Sequence, residues 1–249
     1  MSSYSPPADL LAKRVILIPG AGVGIGRAVA LGCAAHGATV VLLGRTLAKL
    51  EHVYDEIEQA GHPQPAIYPM NLEGATPKDY TDLAATLGRE FGRLDGLLHN
   101  AAILGSLSPL AHQDIELWFK VMQVNLNAPF LLTRACLGLL MQAPDASVLF
   151  STDQVGRKGR AYWGAYGVSK FGIEGMSQIL SQELETNTQV RVNTIDPGAV
   201  RTRMRTLAYP GENALANPEP EAVVPTYLYL LGPDSRGITG RQFEAQNFD

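Results

Sequence analysis

The stretch RVILIPGAGVGIG, Arg14 to Gly26, decides the fold. Its first half is an apolar run, Val15 to Ile18, the pattern of a strand buried on both faces. Its second half spaces glycines at Gly20, Gly22, Gly24 and Gly26, and a helical pattern then runs from about Gly24 to His36. Strand, glycine turn and helix in that order form a corner suited to phosphate. Small residues let backbone N–H groups approach a pyrophosphate at the positive end of the helix. Glycine spacing alone is a weak signal, and the flanking strand and helix make it credible.

Outward from this corner the same rhythm continues. ATVVLLG (Ala38 to Gly44) reads as a second strand, followed by helix LAKLEHVYDEIEQA, strand QPAIYPM, helix PKDYTDLAATLGREF and strand DGLLHN. The second half holds a long helical region, Ile115 to Gln142, which Asn125 and Pro129 are expected to bend. Strand ASVLFST, a helix containing GAYGVSKFG, strand QVRVNTI, a further helix and a short strand near RQFEA complete the chain. This predicts one α/β domain over residues 1–249: a doubly wound parallel sheet of about seven strands with helices on both faces. Residues 1–12 read as a loose N-terminal arm. The Pro/Gly-rich segment 196–220 is longer than an ordinary connector and reads as a substrate lid.

Composition narrows the function. A chain of 249 residues, 46% hydrophobic and 18% charged, can bury a large core and is not disordered. Net charge is −4 with no broad basic block, which argues against a nucleic-acid partner. Cys33 and Cys136 each sit in an apolar helical pattern, and the histidines, His99 included, lack metal-ligand spacing. No signal-peptide pattern is present and no stretch approaches 18 continuous apolar residues, so the expectation is a soluble cytoplasmic protein without a membrane partner.

Two positions carry redox chemistry. The second strand ends in Gly44 and Arg45, where an NAD site normally places an acid on the ribose hydroxyls. A carboxylate would repel a 2′-phosphate and a guanidinium grips it, so NADP(H) is expected, with Arg27 adding positive field. Tyr166 and Lys170 lie four apart, on one face of a helix. A cation beneath a phenol favours phenolate and brings the tyrosine nearer working pH as a proton donor.

Together these motifs resemble the short-chain dehydrogenase/reductase family over nearly the whole chain, which implies a Rossmann-like fold. The resemblance implies that Gly22 and Ile25 belong to the nucleotide turn and that Asn71, Leu72, Asn100 and Ala101 line the adenosine side. In DPGAVRT, it implies that Pro197, Gly198, Val200 and Thr202 hold the nicotinamide carboxamide. Asn125 would order a proton relay. Self-association as a dimer or tetramer, through the Tyr166 helix and the long helix before it, also follows. GRAYWGAYGVSKFG and PGAVRTRMRTLAYP are similar to a poorly understood bacterial oxidoreductase subgroup, which names no substrate.

The chain departs from the family at three places. Pro19 replaces a threonine that ties the glycine turn to the Asn-bearing strand, and Asn71 replaces an aspartate at adenine. Asp153 occupies the position, thirteen before Tyr166, of the family's serine. Strand alternation turns Thr152 away, and Ser151 lies about 6–7 Å further back. A serine can donate to a ketone oxygen, whereas an ionised carboxylate cannot. An Asp here also resembles pteridine reductases, whose substrate takes hydride at C=N. Arg157, Lys158, Arg160, Arg201, Arg203 and Arg205 flank the pocket and read chiefly as solvated loop charge, with recruitment of an anion as the other reading. Two functions stay open: an NADP(H)-dependent reductase of a carbonyl or imine with Tyr166 as acid, or a nucleotide-binding protein whose redox activity was lost with the serine. A nucleotide-sugar epimerase is disfavoured by the glycine spacing.

Overall fold

Apolar side chains at successive positions of the central strands require cover on both sheet faces, and the chain supplies it. The structure, a computed structural model, describes residues 4–248. Its elements are β1 (Val15–Pro19), α1 (Gly24–Ala35), β2 (Thr39–Gly44), α2 (Leu47–Gln59), β3 (Ala66–Pro69), α3 (Pro77–Phe91), β4 (Gly96–His99), α4 (Ile115–Met122), α5 (Ala128–Met141), β5 (Ala146–Ser151), α6 (Gly164–Glu185), β6 (Val190–Asp196), α7 (Arg203–Ala208), α8 (Val224–Leu231) and β7 (Gln242–Glu244). All seven strands are parallel, in the order β3-β2-β1-β4-β5-β6-β7. The order reverses between β1 and β4. A crevice at the carboxyl ends of the strands belongs at that point.

Alternation along the strands sorts the core into two halves. Ile16, Ile18, Val40, Leu42, Leu98 and Leu149 pack under α1, α2 and α8. Leu17, Val41, Leu43, Leu97, Val148 and Phe150 pack under α3, α5 and α6. At the amino end of the sheet, buried Asp145 accepts from Arg14 at 3.1 Å and Arg191 at 3.0 Å. Arg191 also donates to the carbonyls of Leu230 and Gly232, so one carboxylate joins β1, β6 and the turn after α8. Removing one partner of such a buried network leaves an uncompensated charge.

Two expectations change. Residues 1–3 of the supposed loose arm lie outside the described residues, and from Tyr4 onward the arm is docked. Leu10 and Leu11 are buried, the Leu11 N–H bonds the His36 carbonyl at 2.9 Å, and the Tyr4 hydroxyl donates to Asp234 at 2.7 Å. The apolar Leu10–Leu11 pair is what the arm's polar composition concealed. The long helical region also carries more apolar length than the residue-by-residue pattern indicated. Helical geometry runs from Ile115 to Met141, long and apolar enough by length and composition to cross a membrane. Here Ala128, Leu132, Cys136 and Leu140 pack it onto the sheet as a core helix.

The expected irregularity at Asn125 and Pro129 is present as a wider π-type turn, Gln123–Asn127, between α4 and α5. Pro129 has no N–H to give the Asn125 carbonyl four residues back, which breaks the α pattern at that point.

Candidate active site

The crevice at the strand reversal is a cleft of about 390 Å³. Gly20, Gly22, Gly24 and Ile25 form one wall. Gly20 has φ +81°, and a Cβ there would lie 3.0 Å from the Ala101 backbone. Val23, at the start of α1, provides no side-chain cap, which leaves the first-turn N–H groups for a ligand. Gly26 serves differently from expectation and does not line the cleft. A Cβ on it would meet the Gly20 carbonyl at 2.2 Å, so its role is close packing of helix on turn.

Arg45, Asn71, Leu72, Asn100 and Ala101 line the cleft as the sequence suggested. Thr46 and Lys49 line it too and were not foreseen. Lys49 sits in the first turn of α2, four residues after Arg45, and its basic character so near the helix start is the signal that could have flagged it. Arg27 is turned elsewhere. Its guanidinium donates to both carboxylate oxygens of Glu56 and approaches Glu221 at 3.9 Å, so its charge is spent between α1, α2 and the turn before α8.

Tyr166 and Lys170 reach the same cleft from α6. The Lys170 ammonium donates to the Ser151 carbonyl at 2.8 Å and lies 5.5 Å from the Tyr166 ring centre. Burial lowers its pKa to about 8, although Asp153, Asp196 and Glu174 pull the other way. The Tyr166 hydroxyl donates to Asp153 Oδ2 at 3.3 Å, and Asp153 Oδ1 accepts the Val155 N–H at 3.0 Å. The phenol does not move toward neutral pH as the Tyr–Lys pairing implied. Burial first, then the charge and hydrogen bond of Asp153, then Asp196, hold it well above the usual tyrosine range.

The other expected residues divide. Asn125 does not line the cleft. Its amide accepts from the Ile103 N–H at 2.9 Å and donates to the Ile103 carbonyl and Ser169 Oγ, fixing the loop after β4 against α6. Pro197 and Thr202 line the cleft, with the Thr202 hydroxyl capping α7 by accepting the Arg205 N–H. Gly198 and Val200 do not. Gly198 donates its N–H to buried Asp196, and Val200 is a core residue. Burial raises the Asp196 pKa, against the Gly198 N–H.

Ser151 and Thr152 also depart from the pattern. The Ser151 hydroxyl lies 3.3 Å from Asn100 Oδ1 and 3.2 Å from the Tyr227 hydroxyl, so it anchors Asn100 where Pro19 provides no hydroxyl. Thr152 lines the cleft instead of turning away, because β5 ends at Ser151 and strand alternation ends with it. Its buried hydroxyl has no hydrogen-bond partner among the described residues.

The flanking cations are mostly committed. Arg157 pairs with Glu174 at 3.0 Å, Arg160 donates to the Tyr209 hydroxyl at 2.8 Å, Arg201 pairs with Glu219, and Arg205 pairs with Glu212 while stacking 3.8 Å over Tyr209. These four are therefore bonded within the fold and not merely solvated, and among the described residues Lys158 and Arg203 stand outside such pairs. His99 is buried, stacked on Phe150 and bonded to Thr133, and burial lowers its pKa to about 3. Beside Tyr166, Val155 and Trp163 form an apolar cluster with Leu104, Leu107, Met204 and Tyr209.

A family model described as short chain dehydrogenase matches residues 14–213. The uncharacterised oxidoreductase YciK of Escherichia coli (strain K12) is 45% identical over 243 residues, covering 98% of this chain and 96% of its own. A solved structure from Pseudomonas syringae, described as a short chain dehydrogenase, is 58% identical with TM-score 0.97 and covers 99% of this chain and all of that one. A short chain dehydrogenase from Escherichia coli CFT073, solved in complex with NADPH, is 46% identical with TM-score 0.94 and covers 97% of this chain and all of its own.

Lys170 links the site to stability. Its pKa is about 8 folded against an ordinary 10.5, so between those values the folded protein binds fewer protons than the unfolded chain. The charged lysine therefore opposes folding fully below pH 8, and the cost fades toward pH 10.5. Lys170→Met is expected to stabilise the fold at neutral pH by about 2 kcal/mol after loss of one hydrogen bond. Urea titrations across pH should show that gain shrinking in alkali. A gain that does not vary with pH would contradict the burial cost.

Proposed function

The chain belongs to the short-chain dehydrogenase/reductase family and is an oxidoreductase, and from that premise we propose that it reduces the carbonyl or imine of a small molecule with NADP(H). One observation carries the reading: Tyr166 and Lys170 open onto the same cleft as the glycine turn and Arg45. The NADPH complex of the 46%-identical relative supports the choice of cofactor. So does the cleft itself, because Arg45 and Lys49 stand on its rim without an ion pair among the described residues, as a 2′-phosphate requires.

In this reading the first-turn N–H groups of α1 hold the pyrophosphate, and Arg45 with Lys49 holds the 2′-phosphate. Bound NADPH supplies the hydride. Tyr166 gives a proton to the atom that gains charge, and Lys170 holds the ribose and stabilises the phenolate left behind. Asn125 acts through Ile103, keeping the loop after β4 in register with α6. Segment 196–220 is the substrate lid. Its Arg201–Glu219 and Arg205–Glu212 pairs tie distant parts of the segment to each other. Ile115, Phe119 and Phe130 together with Val168, Phe171 and Ile179 expose an apolar face on α4, α5 and α6 that suits self-association as a dimer or tetramer.

A second reading has one observation in its favour. The Tyr166 proton is engaged by Asp153, which fits a protein that binds the nucleotide and does not turn over. Substrate turnover separates the two.

Four measurements check this function. By calorimetry, Arg45→Ala should weaken NADPH by about tenfold or more and leave NADH little changed, while Tyr166→Phe should cut turnover about a hundredfold with NADPH affinity retained. Tighter binding of NADH than NADPH, or near wild-type turnover of a carbonyl substrate by Tyr166→Phe, sinks the assignment. Amide hydrogen exchange over residues 203–209 should slow when cofactor and substrate bind, and an unchanged rate removes the lid. Light scattering should give a dimer or tetramer that Phe171→Asp dissociates, whereas a wild-type monomer would show that the apolar face has another use.

A further inference from the structure

Asp153 lacks the partner that a half-buried carboxylate ordinarily has. No Lys or Arg pairs with it among the described residues, since Arg157 is held by Glu174 and the Lys170 ammonium by the Ser151 carbonyl. Both of its hydrogen bonds accept, one from the Val155 N–H and one from the Tyr166 hydroxyl. The second, at 3.3 Å, is long against the usual O–H···O distance of about 2.7–2.8 Å. Buried Asp196 adds field of the same sign, and the two carboxylates act on each other and on Tyr166. Packed with Tyr166 is the apolar cluster of Val155, Trp163, Leu104, Leu107, Met204 and Tyr209. The unpartnered buried hydroxyl of Thr152 lies at the cleft wall next in sequence. An unpaired carboxylate beside an apolar enclosure is completed by a cation that carries N–H donors.

We propose that Asp153 sets substrate specificity, taking a molecule with a cationic N–H group, an iminium or an ammonium, on or beside the carbon that is reduced. Its apolar body lies against Trp163, Met204 and Tyr209. This rests on the reductase reading above and deepens it. The substrate N–H competes for Asp153 Oδ2, and where the reacting group is a ketone this releases the Tyr166 hydroxyl toward its oxygen. A neutral ketone has no such donor, leaves the Tyr166 proton engaged, and develops an oxyanion that the carboxylate opposes. In an iminium the carbon accepts hydride and the π pair passes to nitrogen, which already holds its proton. In an amino ketone the carbon accepts hydride, the π pair passes to oxygen, and oxygen takes the Tyr166 proton. In both cases NADPH is oxidised to NADP⁺.

The test uses the whole protein. Turnover with NADPH is compared for 3,4-dihydroisoquinoline, protonated to its iminium, and for the neutral α-tetralone. Binding of tetrahydroisoquinolinium and of neutral α-tetralol to the NADP⁺ complex is measured by calorimetry. Wild type should prefer the imine, and Asp153→Asn should lower the imine-to-ketone ratio of kcat/KM by about tenfold or more. The same change should weaken tetrahydroisoquinolinium by about tenfold and shift α-tetralol far less. Asp153→Ser, which keeps an acceptor for the Val155 N–H, repeats the measurement if the Asn variant folds poorly. Equal binding of the cation by wild type and variant overturns the proposal whatever the turnover. Cation binding that depends on Asp153 without turnover of either compound upholds it and removes the reductase reading instead.

Discussion

The approach of α1 to the turn after β1 sets the rest of the site. A Cβ on Gly26 would stand 2.2 Å from the Gly20 carbonyl and 2.8 Å from the Asn100 amide, so only hydrogen fits there. That contact brings the start of α1 over the carboxyl end of the sheet. It also begins a chain of contacts. Asn100 meets the Ser151 hydroxyl, and the Ser151 carbonyl receives the Lys170 ammonium. The nucleotide turn and the catalytic helix are thus joined through three residues, each placed by the end of a different strand or by the helix that crosses it.

Tyr166 is held from both sides of α6. Asn125 ties Ser169 and the Ile103 backbone together on one side. On the other, buried Glu174 accepts from Arg157, Thr194 and Gln242, which fastens the loop after Asp153 to β6 and β7. Within this frame burial drives both ionisable partners toward their neutral forms, raising the Tyr166 pKa and lowering that of Lys170. Asp153 and Asp196 oppose it for the lysine and reinforce it for the phenol. A substrate or cofactor charge entering the cleft meets a site whose protonation is poised by burial.

The element order, the parallel sheet and the nucleotide corner were legible because each is encoded locally. Val15 to Ile18 can only be a strand covered on both faces, and the glycines of the turn follow it within one segment. Tyr166 and Lys170 were legible as a pair because a helix places residues four apart on one face. Less legible was everything that depends on which residues meet from distant segments. Lys49 joined Arg45 at the rim, Arg27 turned to Glu56, and Leu10 with Leu11 docked an arm whose composition suggested freedom.

The sequence by itself determined the fold class and the identity of the groups that can carry redox chemistry, because short-range periodicity and spacing suffice for those, and its motifs carried the resemblance to the family. Only the tertiary structure decided which of them are available. Gly26, Gly198 and Val200 went to packing or local bonding, Asn125 to backbone positioning, three of the flanking arginines to ion pairs and Arg160 to the Tyr209 hydroxyl. Asp153 came to accept the Tyr166 hydroxyl with no Lys or Arg paired to it among the described residues. A side chain's protonation and partners follow from burial and from charges brought together by folding, and neither quantity is written in the spacing of residues along the chain.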